Sequence, residues 1–356
     1  MKLPLLFTCF VVFAVGQSGD KREQQRIGAT NIKGVVPPDA HELVTGPVES
    51  LTTPDSRTAA LAMLQRCAQN TKLHAPSTPA YTLTASFTAF GEAAQTGPGQ
   101  LSETWWSGRE WRWTAALGGV SVARTMFQGQ LVDENTPASA PSRVHMLRNA
   151  IWFAAQDPPA NIQIRTSAST WQGKPVTCVL TSGIIGAPTQ TQGRLWEESE
   201  SCIDNQSGRI MISSLAPGTY TVYGYDRNLD FHGRMLPDHI SIYVAGSQVI
   251  DSTFDIVDAT THISAATGNR PTSTLEGPLR MPIQVRGSAA SVQPVIIHAS
   301  VGGDGHVNEA ELSATSDSSL VETALTQVRN MNFGPTGGER QIYVNVKFMP
   351  NQPSGN

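Results

Sequence analysis

The sequence has little charge and few long apolar stretches. Of its 356 residues only 15% are charged, 39% are hydrophobic, and the formal net charge is -4. Its basic residues are scattered, which excludes the concentrated positive surface that nucleic-acid-binding proteins use. Beyond the first residues, no segment is apolar over the about 20 positions that a membrane-spanning helix needs. We therefore expect most of the chain to be soluble and globular, with no nucleic-acid partner.

The sequence also lacks the short motifs of familiar catalytic and cofactor chemistry. It contains no G-x-S-x-G elbow, no H-E-x-x-H motif, no C-x-x-C pair and no phosphate-binding loop. The stretch from Ser300 to Leu312 has the glycine and the final glutamate of a calcium loop, but Asp304 is the one carboxylate among its leading ligand positions. We interpret this stretch as a hairpin turn, and we expect no catalytic residue, no cofactor and no metal.

Apolar residues are concentrated at the amino terminus. Lys2 precedes an apolar run from Leu3 to Val15, and Ala14 and Gly16 are small residues that a signal peptidase accepts at its cleavage site. The run of about 13 residues is shorter than a membrane-spanning helix. We predict a signal peptide over residues 1–16, cleaved near Gly16, and export to the periplasm of an envelope with two membranes or out of the cell. An uncleaved anchor is the alternative.

Cysteine is scarce. Once Cys9 is removed with the signal peptide, Cys67, Cys178 and Cys202 remain. In an oxidising compartment Cys178 and Cys202 are the expected disulfide, because they flank one continuous β-like stretch. Closing this loop of about 25 residues would contribute about 3 kcal/mol to stability in the chain-entropy estimate. Cys67 is expected to remain a buried free thiol on a helix.

Composition divides the rest of the chain into four parts. Residues 17–55 are polar and rich in proline, which is typical of a flexible leader. Residues 56–259 contain many alternating segments and two amphipathic ones, residues 260–292 have the composition of a linker, and residues 293–350 form a small last unit. Many strands with few helices predict an α+β fold, in which an antiparallel curved sheet or half barrel carries a few helices across one face.

The last unit has the order strand, strand, helix, strand. A glycine-rich turn joins the first two strands, and Ser319 with Glu322 forms a capping box before an apolar helix face. In the last strand, from Gln341 to Phe348, polar and apolar residues alternate, which predicts a strand that is buried on one side. We expect a small three-stranded sheet backed by one helix.

Over about residues 293–349 this unit resembles the C-terminal domain of the TonB family. The resemblance rests on the Asp304-Gly305 turn, the helix ending in Asn332-Phe333-Gly334-Pro335, and the terminal strand. It implies a protein that binds an extended peptide of an outer-membrane receptor, or of another envelope protein, by adding it to the edge of the sheet. The residues implied to bind this partner are Gln341, Ile342, Tyr343, Val344, Asn345, Val346 and Lys347.

The middle region more weakly resembles the outer-membrane lipoprotein carriers with a LolA-like half-barrel fold. The resemblance rests on the early helix followed by YTLTASFTAF, on the tryptophan-rich strands, and on FHGRMLPDHISIYV. In such folds the concave face takes up acyl chains, which implies a lipid or another apolar ligand for this chain. The residues implied to line the cavity are Trp105, Trp106, Trp111 and Trp113. An ordinary aromatic core is the alternative.

Together these patterns predict an exported, non-enzymatic protein of the cell envelope. The leading hypothesis is an adaptor in TonB-linked transport that binds its partner by strand addition. The alternative is a carrier of lipid or another apolar ligand. A third hypothesis is a homodimer, because a unit of about 55 residues is marginal alone and could exchange strands with a second copy.

Overall fold

The protein is mostly β, with two separate sheets of different size. The computed structural model describes residues 49–50, 53–134, 141–152, 162–183, 194–268, 278–286, 293–315, 317–335 and 339–350. Within these residues lie a thirteen-stranded sheet, a two-stranded hairpin and a four-stranded sheet. The predicted signal peptide and the leader up to residue 48 lie outside the described residues. The α+β class and the large curved antiparallel sheet with few helices are confirmed.

The large sheet is antiparallel throughout. Its strands are β1 (Glu49–Ser50), β2 (Tyr81–Ala89), β3 (Gly97–Ser107), β4 (Glu110–Leu117), β5 (Val120–Phe127), β6 (Gln130–Asp133), β7 (Gln163–Trp171), β8 (Lys174–Ser182), β9 (Ser199–Asp204), β10 (Ile210–Ala216), β11 (Thr219–Gly224), β14 (His239–Val244) and β15 (Ser247–Asp258). In space they follow the order β1-β7-β8-β9-β10-β11-β14-β15-β2-β3-β4-β5-β6. The pairing of β15 with β2 joins the two halves of the sheet. Strands β12 (Leu229–Phe231) and β13 (Arg234–Leu236) form the separate hairpin.

Two helices lie on one face of the large sheet, which we call the helical face. Helix α1 (Pro54–Thr71) begins after Thr53, which caps it by accepting a hydrogen bond from the Ser56 N–H at 3.4 Å. Helix α2 (Ser142–Trp152) follows β6. Leu64 of α1 and Leu147 of α2 enter the same apolar core as the inward residues of β2, which are Tyr81, Leu83, Ala85, Phe87 and Ala89. The strict alternation of β2 predicted this burial.

Among the described residues, no helix is both long enough and apolar enough to cross a membrane.

The small sheet has four strands where the sequence predicted three. They are β16 (Leu279–Arg286), β17 (Gln293–Val301), β18 (Val307–Thr315) and β19 (Arg340–Met349), in the spatial order β16-β19-β17-β18. The additional strand, β16, falls in the segment that composition assigned to the linker, and it pairs in parallel with β19. It contains Pro282, which is tolerated because β16 is an edge strand.

One helix packs on the small sheet, as predicted. A 3-10 turn (Ser318–Leu320) leads into α3 (Val321–Arg329). The cap differs from the expected box of Ser319 and Glu322: the Asp317 carboxylate accepts from the Ser319 N–H at 2.9 Å. In the β17–β18 turn, Gly305 has a φ of +88°, and a Cβ there would lie 2.2 Å from the Gly334 oxygen. Only glycine fits this approach.

The two sheets are in direct contact. At the turn between β10 and β11, Gly218 has a φ of +84°, and a Cβ there would lie 1.8 Å from the backbone oxygen of Ser313 in β18. The Ser313 hydroxyl donates to the Pro217 oxygen at 2.6 Å and lies 2.9 Å from the Thr219 hydroxyl. These buried hydrogen bonds fix the small sheet on the large one.

Candidate functional site

Three of the four tryptophans predicted to line a cavity are buried in the core on the helical face. Trp105, Trp111 and Trp113 have at most 6% of their surface exposed. The Trp105 ring stacks on Tyr81 with 5.8 Å between the ring centroids. Trp106 lies at the margin of this core, where it stacks on His262 at 3.7 Å. The first three side chains are packed core residues in this conformation, and a ligand-binding role for the four stays a prediction.

A buried carboxylate, Glu103 of β3, lies within the same core. The Tyr81 hydroxyl donates to its Oε1 at 2.6 Å, and His74 Nε2 lies 2.5 Å from that oxygen. Arg148 Nε lies 4.0 Å from Oε2. Burial acts to raise the pKa of Glu103, but the charge and hydrogen bond of His74, with Arg148 and Tyr81, outweigh it and hold the pKa below its usual value.

Glu103 thereby connects both helices to the sheet. His74 lies three residues after the end of α1. Arg148 belongs to α2, where its guanidinium lies 4.7 Å from the Trp113 ring centroid and 5.7 Å from that of Trp111. Sequence reasoning missed this cluster. The available signal was the alternation of β3, which places Glu103 on the same side as the inward residues Leu101 and Trp105.

A small gap lined almost wholly by apolar side chains lies beside this cluster, and we call it the apolar gap. Its volume is about 30 Å³. It lies where the end of α1, helix α2 and the β12–β13 hairpin meet the helical face. Its lining includes Leu73, Leu83, Ile151, Leu236, Ile240 and Phe254.

The strand predicted to bind a partner is internal to the small sheet. Strand β19 pairs with β17 on one side and with β16 on the other. All seven implied partner-binding residues, from Gln341 to Lys347, are buried. The polar side that alternation predicted to be open packs toward the large sheet, where Tyr343 and Lys347 meet Trp196. The expected free edge is therefore occupied by the chain itself, and binding of a partner at these residues stays a prediction.

Helix α2 also carries contacts to the small sheet. Arg143 donates to both carboxylate oxygens of Glu311, at 2.6 and 2.8 Å, and His298 Nδ1 lies 3.0 Å from Glu311. His145 lies 3.2 Å from Glu339. Burial acts to raise the pKa of Glu311, but the hydrogen bonds from His298 and Arg143 lower it to about 2. One helix is thus bonded to both sheets.

Cys178 and Cys202 form a disulfide between adjacent strands. They lie directly opposite each other on β8 and β9, 24 residues apart in the sequence. Cys67 of α1 is the free cysteine of the described residues, and burial raises the pKa of its thiol to about 12. At that pKa the thiol is protonated and unreactive at neutral pH.

A second buried carboxylate, Glu200 of β9, lies beside the disulfide. Its Oε2 is 3.4 Å from Arg194, and its Oε1 is 3.3 Å from Cys202 Sγ. A disulfide sulfur has no proton to donate, so Cys202 cannot stabilise the ionised carboxylate. Burial raises the pKa of Glu200 to about 7, because the charge of Arg194 offsets only part of the desolvation.

Comparisons with known proteins give low similarity. No protein-family model matches the sequence, and no curated protein matches it. The chain is similar to the crystal structure of a LolA superfamily protein from Nitrosomonas europaea, with 12% identity and a TM-score of 0.36, over 56% of this chain and 91% of that chain.

A second solved structure from Vibrio parahaemolyticus, described as an outer membrane lipoprotein-sorting protein domain, has 9% identity and a TM-score of 0.35, over 56% of this chain and 92% of that chain. Both TM-scores are below 0.5, so the function proposed below rests on the contacts of this chain alone. Neither match involves the TonB family, whose resemblance stays a prediction.

Proposed function

We propose that the protein is an exported, non-enzymatic carrier of an acyl chain or a similar apolar ligand. The observation that carries this proposal is the apolar gap between the two helices and the helical face. Carbon atoms line nearly all of it, so a ligand there would be held by burial of apolar surface. The disulfide between Cys178 and Cys202 favours a place of action outside the reducing cytoplasm.

The described conformation is the closed one. A gap of about 30 Å³ has room for about one water molecule, so an acyl chain can enter only when the helices move away from the sheet. Several of the inward side chains of α1 are small: Ala60, Cys67 and Ala68 are buried against the core. Lifting α1 therefore uncovers less apolar surface than lifting a helix lined with leucine or phenylalanine.

The free energy of the ligand can offset this opening. Each methylene moved out of water contributes about 0.8 kcal/mol, so a chain of about 12 buried methylenes provides about 10 kcal/mol. The polar contacts to be broken include those of His74 and Arg148 with Glu103 and the hydrogen bond that the Tyr223 hydroxyl donates to the Ala150 oxygen at 3.1 Å. We expect the helices to separate from Glu103 when a ligand is bound.

The test is an assay of acyl-chain binding. We expect mass spectrometry of a solvent extract of the purified protein to reveal bound lipid, and cis-parinaric acid to bind saturably to the delipidated protein. Ile151→Trp fills the gap and should weaken binding by about tenfold, whereas Val257→Trp, at a position 61% exposed, should not. Absence of both lipid and saturable binding would refute the carrier function.

A second candidate function is strand addition to the small sheet, and the position of β16 favours it. The β19 edge accepts an added strand along eight residue pairs, here from the same chain. The side chains of β16 are largely exposed, with Leu279 at 44% and Met281 at 37%, while Arg280 is partly buried and donates to the backbone oxygen of Glu197 and to Ser199. A peptide from an envelope receptor would have to displace this strand.

Competition tests this second function. A peptide with the sequence LRMPIQVR should bind the variant Ile283→Asp/Val285→Asp, in which the two partly buried side chains of β16 no longer pack. It should bind the unaltered protein much less, and a scrambled peptide should bind neither. If the variant is folded and takes up no peptide, strand addition is excluded. A dimer of the variant in sedimentation would identify a second copy as the strand donor.

A further inference from the structure

A larger concavity opens on the side of the large sheet away from the helices, and we call it the outer groove. Its volume is about 510 Å³, against about 30 Å³ for the apolar gap. Neighbouring residues of β8 identify the side: Val179 belongs to the core under the helices, and Cys178 to a second apolar cluster. The walls are the β7–β8 and β9–β10 turns, and the floor lies on β11 and β14.

The floor of the outer groove is apolar and aromatic. Trp171 and Met211 belong to the second apolar cluster and are buried, and the partly exposed Val222 and Tyr225 pack against this cluster, Tyr225 also against the core on the helical face. Tyr225 is partly exposed, and its hydroxyl donates to the Ile210 oxygen at 2.9 Å, which fixes the orientation of the ring. The groove thus presents a rigid aromatic surface that costs little conformational entropy when it binds a ligand.

The rim of the outer groove is polar and nearly balanced in charge. Lys174 and Arg209 contribute positive charge, while Asp204 and Asp226 contribute negative charge. The Arg209 guanidinium lies 4.9 Å from the Tyr225 ring centroid, and the Asp204 carboxylate accepts the Gln206 N–H at 2.7 Å. Lys174 and Asp226 are exposed and Asp204 is buried, so the border of the apolar floor offers ammonium, guanidinium and carboxylate groups as donors and acceptors.

This combination discriminates between classes of ligand. A polyanion would meet the carboxylates of Asp204 and Asp226, and the rim has no excess of positive charge to offset that repulsion. An acyl chain would cover charged rim groups without giving them hydrogen bonds, at a cost in desolvation. A sugar ring has one face of C–H groups for Val222 and for the part of the Tyr225 ring that Arg209 leaves exposed, and a border of hydroxyls for the rim.

We propose that the outer groove is a binding site for a short, neutral saccharide. Its volume lies within the about 300–1,000 Å³ that is typical of small-ligand sites, which corresponds to two or three sugar rings. Tyr223 contributes to the lining of both the apolar gap and the outer groove. The proposal is nevertheless independent of the carrier function, because Tyr225 lines only the outer groove and Ile151 lines only the apolar gap.

Calorimetric titration of the full chain with maltotriose, cellotriose and N-acetylated chitotriose tests this assignment. We expect at least one of these probes to bind with a dissociation constant below about 1 mM. Tyr225→Ala should weaken this binding by about tenfold, whereas Tyr225→Phe, which keeps the ring, should change it by less than about threefold. Phe90→Ala, at an exposed aromatic position outside the groove lining, is the matched control and should have no effect.

Circular dichroism and thermal melting establish that each variant is folded. The proposal is overturned if none of the three saccharides binds at about 10 mM, or if a folded Tyr225→Ala variant binds as tightly as the unaltered protein. It is also overturned if no saccharide binds and the groove instead binds palmitate or inorganic phosphate. Loss of that binding in Tyr225→Ala would place it in the outer groove. If the unaltered protein binds a saccharide but no acyl chain, the carrier function is refuted and the saccharide site is not.

Discussion

The large sheet buries one glutamate on each side, and the two carboxyl groups differ in their ionisation. Glu103, on the helical face, has a pKa below its usual value, whereas the pKa of Glu200, beside the disulfide, is raised to about 7. Both are almost completely buried, with 3% and 1% of their surface exposed. Burial alone therefore does not decide the charge of a carboxyl group in this protein.

The difference lies in the number of partners. Glu103 has His74 and Tyr81 within hydrogen-bond distance and Arg148 at 4.0 Å, so its ionised form is stabilised from several directions. Glu200 has Arg194 at 3.4 Å, a disulfide sulfur that cannot donate, and the like charge of buried Glu198 nearby, which raises its pKa further. A single cation at that distance does not repay the desolvation of a buried carboxylate.

The largest loss of stability is expected from replacing Glu103, which is the partner of several buried groups. Glu103→Ala would leave Arg148 buried beside two tryptophan rings and without its carboxylate, so we expect a loss of about 4 kcal/mol in the free energy of unfolding. Urea denaturation at pH 7 measures this loss. Glu200→Gln, the matched change on the other side, should alter stability by less than about 1 kcal/mol or increase it. Equal losses for the two variants would contradict the comparison.

On the Glu200 side, the covalent link is expected to stabilise the fold more than the ion pair does. Replacing both Cys178 and Cys202 by alanine releases a loop of 24 residues and should cost about 3 kcal/mol. Thermal unfolding under non-reducing conditions measures it. Cys67→Ala is the control for a buried thiol without a crosslink and should cost about 1 kcal/mol. A double variant as stable as this control would show that the disulfide contributes little.

The two glutamates should give opposite dependences of stability on pH. The pKa of Glu200 rises from 4.5 to about 7 on folding, so the folded protein holds the proton more tightly. Stability from this group is fully present below pH 4.5 and is lost as the pH rises through 7, by at most about 3 kcal/mol. Glu103 contributes stability above the pKa of the unfolded chain and loses it in acid, because its folded pKa is lowered.

Denaturation midpoints between pH 5 and 8 separate the two contributions. Stability of the unaltered protein should fall across this range, and Glu200→Gln should reduce the fall because an amide does not titrate, leaving a smaller slope from groups such as Glu198, whose pKa burial also raises. Glu103→Gln should leave the slope in this range unchanged. A slope as steep in Glu200→Gln as in the unaltered protein would assign the titration to another group.

The sequence predicts the strands of this fold better than it predicts the contacts of its buried charges. Alternation places Glu103 on the inward side of β3, but its partners His74 and Arg148 come from two other segments, so the local pattern contains no sign of them. The same limit applies to β16, whose residues pair with β19 from the end of the chain. A strand with a proline and a largely exposed surface is defined by its neighbour more than by its own propensity.

The smallest loss of stability is expected from breaking an ion pair at the surface. This case extends the comparison of the two buried glutamates to a carboxylate that solvent reaches. Arg112 donates to both oxygens of Glu134 at 2.9 Å, with the Arg112 side chain 44% exposed. Solvent screens this pair and remains available to each partner after the other is lost. Arg112→Ala should therefore cost about 0.5 kcal/mol in urea denaturation, with less loss at high salt. A loss near that of Glu103→Ala would mean that bidentate geometry, and not the number of buried partners, determines what a carboxylate contributes here.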